Sequence, residues 1–151
     1  MSIKGFVEKI GEKGSLLGVD HGTKLIGLSL SDPIREFVFP AGTIQNKNAE
    51  SSAIEIAGLI QEKSILGVVI GYPLQLNMQE GEQCKVIKKF VEVLQQKISI
   101  PVFFQDERLS TKGAHTMLRE LNLTRKQRDK KDDELAACNI LQTTLSLLKN
   151  Q

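Results

Sequence analysis

Ser15-Leu16-Leu17-Gly18-Val19-Asp20-His21-Gly22-Thr23-Lys24-Leu25-Ile26-Gly27-Leu28-Ser29-Leu30 is the stretch on which the fold turns. Two short apolar runs, residues 15–20 and 25–30, flank a link that contains a glycine. Strands joined by so short a link form an antiparallel hairpin. The first run ends in an acid, Asp20. Ligands of open α/β sheets bind beyond the carboxyl ends of the strands, so Asp20 is placed where chemistry happens. A lone strand-end Asp is more often a turn former, so its company decides.

Working outward, residues 1–14 read as a short N-terminal extension with one strand or helical turn around Ile3, Phe6 and Val7. That segment mixes Lys and Glu and has no apolar core of a secretory signal. A third strand is expected within residues 36–44, where Pro40 implies a sheet edge. Ala53, Ile56, Ala57 and Ile60 have helical spacing, which predicts an amphipathic helix over 48–62. The nearly all-apolar run 65–70 has the pattern of a central parallel strand covered on both faces, ending at Gly71-Tyr72-Pro73. Cys84, Ile87, Val91 and Leu94 mark a second helix. Residues 100–104 form the next strand and run into Asp106-Glu107-Arg108. Ala114, Met117, Leu118 and Leu121 mark a third helix. Residues 135–148 mark a fourth, with Asp133 in its first turn.

The order β-β-β-α-β-α-β-α-α combines hairpins with right-handed parallel crossovers. It gives an α/β fold with a mixed five-stranded sheet of order 3-2-1-4-5 flanked by helices, which is the RNase H-like arrangement. At 151 residues the chain fits one such domain, residues 15–151, after the extension. With 40% hydrophobic and 25% charged residues, it is not a disordered chain.

The net charge of +2 does not by itself identify a nucleic-acid binder. The basic residues concentrate in Thr124-Arg125-Lys126-Gln127-Arg128-Asp129-Lys130-Lys131. Arg125, Lys126 and Arg128 are candidate phosphate contacts. The alternative is a solvated loop between two helices. Cys84 and Cys138 lack any partner at zinc spacing and fit two reduced thiols of a cytoplasmic protein. No apolar run approaches the ~20 residues of a membrane helix, so no membrane partner is expected.

Asp20, Asp106, Glu107 and Asp133 converge at one end of this topology. Clustered carboxylates repel one another unless a cation neutralises them. An oxygen-only set suits a hard ion, Mg²⁺ or Mn²⁺. Two such ions about 3.5–4 Å apart can promote phosphodiester cleavage, with the acids as ligands rather than bases. Gly22, Thr23 and Lys24 form a turn facing a phosphate, with Gly22 at positive φ or in close approach. Gly27 keeps the neighbouring strand clear of the site. Arg108 is either a phosphate contact or the ion-pair partner of a nearby acid. Ser110 and Thr111 cap the next helix, and Thr111 is also a candidate substrate contact. His21 and His115 have no sequence partner that argues for catalysis.

These residues resemble the YqgF/RuvX family, described as Holliday junction resolvases, with bacterial members linked to maturation of the 5′ end of pre-16S ribosomal RNA. Residues 20–32 are similar to its opening motif and Val69-Ile70-Gly71-Tyr72-Pro73 to its glycine-proline strand end. Asp106-Glu107-Arg108-Leu109-Ser110-Thr111 and Asp133-Glu134-Leu135-Ala136-Ala137 are similar to its later motifs. The resemblance spans about residues 15–145. It implies catalytic, metal-binding roles for Asp20, Glu107 and Asp133, with Asp106 second because adjacent strand residues face opposite ways. The chain departs from the family with His21 in place of Pro, Ser110 in place of Thr, and Asp132 in place of an apolar residue. Asp132 is therefore an alternative ligand or a helix cap. Gly71 stands where many RNase H-like nucleases carry an acid.

The expected function is a metal-dependent nuclease acting on precursor rRNA. The alternatives are a junction resolvase on branched DNA or a non-catalytic rRNA-binding assembly factor. A monomer or a homodimer would serve. An actin-like ATPase reading ranks lower, because such proteins clamp nucleotide between two domains.

Overall fold

Alternation of apolar residues with Gly and Ser along residues 16–31 gives two strands with distinct faces. The computed structural model describes residues 1–74, 79–106 and 125–150, the last segment with side chains from residue 132 onward. Strand β1 (Leu16–His21) pairs antiparallel with β2 (Leu25–Ser31), and β2 with β3 (Val38–Gln45). On its other side β1 pairs parallel with β4 (Gly67–Tyr72), and β4 with β5 (Val102–Asp106). The sheet order is β3-β2-β1-β4-β5, as expected, with Pro40 on an edge strand. Asp20 therefore stands on the middle strand.

Helices α2 (Ala49–Glu62) and α3 (Glu82–Gln95) follow β3 and β4. They share one core with Leu17 and Val19 of β1 and Val68 and Ile70 of β4. The other face carries Leu16, Val69 and Phe103 under Ile140, Leu141 and Leu145 of α4 (Arg125–Leu148). All six residues of β4 are buried, which explains its unbroken apolar run. Among the described residues no helix is long and apolar enough to cross a membrane.

Two segments differ from expectation. Residues 3–10 form helix α1 (Ile3–Ile10), and Ser2 Oγ accepts a hydrogen bond from the Gly5 amide at 3.1 Å. Phe6 and Ile10 of α1 are buried in the second core cluster, each contributing about 1.5–3 kcal/mol. Arg35, missed in the sequence, holds the end of α1. Its guanidinium donates to the carbonyls of Gly14 (2.7 Å), Gly11 (2.6 Å) and Ile10 (3.0 Å).

The last helix begins at Arg125, so Asp133 lies more than two turns inside it rather than in its first turn. The loop reading of residues 125–131 and the capping role for Asp132 are thereby overturned. A basic start to a helix carries no apolar period, although Lys, Arg and Gln are good helix formers. The third helix expected around Ala114–Leu121 lies outside the described residues.

Candidate active site

Each β1 residue inherits its direction from strand alternation. Leu17 and Val19 point into the α2/α3 core, so Leu16, Gly18 and Asp20 face α4. Asp20 is half-buried and pairs in register with Gly27. A Cβ built on Gly27 would strike the Asp133 carbonyl group, with the Asp133 Cα 3.0 Å away. The absent side chain lets the α4 backbone settle onto β2 beside Asp20. Asp20 and Asp133, 113 residues apart in the chain, are thus joined through the Asp20–Gly27 register pair.

The same docking recurs at Gly18. A Cβ there would stand 2.8 Å from the Ala137 carbonyl and 2.9 Å from the Leu141 Cβ. Beside it, the buried Ser29 hydroxyl donates to the Ala137 carbonyl at 2.8 Å. At the β5 end, the buried Thr144 hydroxyl donates to Gln105 Oε1 at 2.9 Å. Asp133, Ala137 and Leu141 recur every four residues, so one stripe of α4 rests on β1 and β2. The helix runs antiparallel to β1, and its start continues past the carboxyl end of that strand.

Gln105 reaches α4, whereas Phe104 packs with the α2/α3 core and its ring lies 4.7 Å from Tyr72. Alternation therefore assigns Asp106, paired in register with Tyr72, to the α2/α3 face, opposite to Asp20. Glu107, Arg108 and Thr111 lie outside the described residues, as do the side chains of Arg125, Lys126 and Arg128. Among the described residues, no group of three or more His, Cys, Asp or Glu is arranged to hold a metal ion. Asp20 and Asp133 form the described part of the expected set. Oxygen-only donors of this kind fit a hard divalent cation.

His21 faces away from Asp20. It is buried, with its ring 4.7 Å from that of Phe90. Burial holds its pKa below the ordinary 6.5, with a smaller opposing contribution from its own backbone.

The turn after β1 differs in one respect from expectation. Gly22 does not have positive φ. A Cβ there would strike the Leu25 carbonyl oxygen, which accepts from the Gly22 amide at 3.0 Å. Close approach, rather than φ, demands the glycine. Thr23 and Lys24 are exposed. Asn46, which sequence reasoning missed, donates from Nδ2 to the Gly22 carbonyl at 2.8 Å, and its amide to the Lys24 carbonyl at 2.8 Å. Gln83 Nε2 donates to the His21 carbonyl at 3.2 Å. No local pattern distinguishes either residue from an ordinary surface amide.

Comparison with known proteins agrees with this arrangement. The profile of the RuvX family, described as Holliday junction resolvase, matches residues 14–147. A Rickettsia peacockii protein named "Putative pre-16S rRNA nuclease" is 36% identical over 135 residues, covering 89% of this chain and 88% of its own. A Rickettsia conorii protein of the same name matches with the same identity and coverage. Among solved structures, the fowlpox virus resolvase in complex with Holliday junction DNA shares the fold, with a TM-score of 0.53 at 11% identity. That match covers 90% of this chain and 97% of the resolvase.

Proposed function

Because the chain belongs to the RuvX family of nuclease-type hydrolases, we propose that it is a Mg²⁺- or Mn²⁺-dependent endonuclease that processes the 5′ end of pre-16S rRNA in the cytoplasm. The observation that carries this reading is the seating of Asp133 against Gly27, the register partner of Asp20. It places the backbone of α4 at Asp133 beside the strand position that carries Asp20, and the glycines at 18 and 27 leave room for that docking.

In this reading Asp20, Glu107 and Asp133 hold the cation. A bound divalent cation supplies charge neutralisation at the scissile phosphodiester. The backbone of Asp20 is held by the middle strand and that of Asp133 by the four-residue stripe of α4, so the two positions need not be brought together when substrate arrives. Asp106, on the opposite face of the sheet, ranks behind these three, and Asp132 is the alternative to Asp133. Thr23, Lys24 and the backbone at Gly22 receive a phosphate, with Arg108 and Thr111 from the segment after β5.

The corrected start of α4 supports the basic residues as substrate contacts. At 1.5 Å per residue, about 12 Å of helix separates Arg125 from Asp133. Arg125, Lys126 and Arg128 then stand on the same helix as Asp133, in the turns that precede it, and we take them as contacts to a nucleic-acid backbone. Such contacts give affinity without reading sequence.

Purified protein is incubated with a pre-16S rRNA fragment and, separately, a four-way DNA junction, each with Mg²⁺ and with Mn²⁺. Wild type is expected to cut the RNA, and Asp20→Asn and Asp133→Asn to abolish the cut. Asp132→Asn is expected to keep it. Cleavage that survives Asp20→Asn sinks the proposal. The family's description as Holliday junction resolvase favours a second reading, which holds if the junction alone is cut.

A further inference from the structure

The turn after β1 is held from behind by side chains that take no part in the carboxylate site. We propose that Asn46 is a positioning residue, which aims the Thr23 amide at a substrate phosphate by fixing the Gly22 carbonyl. The proposal rests on the reading of residues 22–24 as the phosphate-facing turn.

Asn46 sits directly after β3 and grips the turn twice. Its Nδ2 donates to the Gly22 carbonyl and its backbone amide to the Lys24 carbonyl, each at 2.8 Å. The orientation of its side-chain amide is itself fixed, because Ser52 Oγ donates to Oδ1 at 3.3 Å. Ser52 is fully buried on α2, so the anchor is part of the core. Gln83 on α3 secures the preceding His21 carbonyl.

Peptide planarity turns this grip into an aim. In a trans peptide the carbonyl of one residue and the amide of the next point in opposite directions. No cis peptide occurs among the described residues. With the His21 carbonyl turned to Gln83, the Gly22 amide points away and meets the Leu25 carbonyl at 3.0 Å. With the Gly22 carbonyl turned inward to Asn46, the Thr23 amide points outward. Thr23 and Lys24 are both exposed, and their amides have no acceptor among the described residues. An outward amide beside an exposed hydroxyl and an ammonium suits a phosphate oxygen. Asn46 thus acts on the substrate through the turn rather than by touching it.

The test uses the full chain, with affinity for a fluorescein-labelled RNA duplex read by anisotropy and cleavage read as kcat and KM. Asn46→Asp places a carboxylate oxygen against the Gly22 carbonyl at unchanged size, and Asn46→Ala removes the donor. In variants whose circular dichroism melts show them folded, Kd and KM should rise about fivefold to tenfold, as for a lost hydrogen bond, while kcat changes less. Folded Asn46→Asp and Asn46→Ala proteins with wild-type Kd overturn the proposal. If neither folds, Gln83→Ala, which frees the adjacent carbonyl, decides by the same measure: weakened binding supports the aim and wild-type Kd overturns it. Wild type that binds RNA without cutting it sinks the nuclease reading but leaves the Kd comparison intact. Wild type that cuts, with variants of unchanged Kd, sinks only the role of Asn46.

Discussion

Replacing Gly27 with alanine tests how the site is assembled. The added Cβ lands on the Asp133 carbonyl group, with the Asp133 Cα 3.0 Å away. The obstacle is backbone inside a helix, not the end of a flexible side chain, so α4 itself must move. Overpacking of a core costs about 1–3 kcal/mol, and a backbone clash belongs in the upper half of that range. For a domain of this size, about 2–3 kcal/mol lowers Tm by about 4–12 °C. The larger effect falls on cleavage, since a displacement of about 1 Å between catalytic groups can cost about 10²-fold in rate. Gly18→Ala gives the comparison. Its Cβ also meets α4, at Ala137 and Leu141, one to two turns further from Asp133. Both variants should lose similar stability, but Gly27→Ala should lose more of its kcat, measured with Mg²⁺ at a temperature where both are folded. A Gly27→Ala protein that melts with the wild type and cuts at its rate refutes the close seating of α4. Equal losses of kcat in the two variants refute the claim that this contact sets the carboxylate pair.

Arg35→Ala leaves three carbonyls at the end of α1 without their donor, and calorimetry should show a loss of about 3 kcal/mol. Gly58 lies on the exposed side of α2 with open space around its missing Cβ, so Gly58→Ala should raise stability by about 0.5–1 kcal/mol in urea melts. His21 has its folded pKa held below the unfolded 6.5 by burial, so folding disfavours its proton. Its contribution is full above pH 6.5 and is lost as the pH falls from there through the folded value. Stability measured from pH 7.5 down to pH 5 should decline less steeply in His21→Phe than in the wild type, and parallel curves would contradict the assignment.

The candidate site was partly legible because each acid belongs to a local pattern. Asp20 ends an apolar run beside a glycine turn, and Asp133 precedes a helical stripe of apolar residues. Their joining was not legible. It depends on Gly27, whose sequence context offers only a strand glycine, and on the Ser29 hydroxyl reaching Ala137 across 108 positions of sequence. Asn46 and Gln83 were invisible for the same reason. A polar side chain holding a backbone carbonyl leaves no periodicity, and its partner is set by how distant elements pack.

By itself the sequence determined the five strands and their order, because hydrophobic period distinguishes a hairpin from a buried parallel strand and connection lengths limit the topology. It also determined the family, through motifs that recur in order. Only the tertiary structure decided that residues 3–10 are a core helix and that the basic stretch from Arg125 is helical. Only the tertiary structure set Asp20 and Asp106 on opposite faces of the sheet. The physical reason is that local propensity can be read from neighbours in the chain, whereas facing and contact are settled by close packing between residues far apart in it.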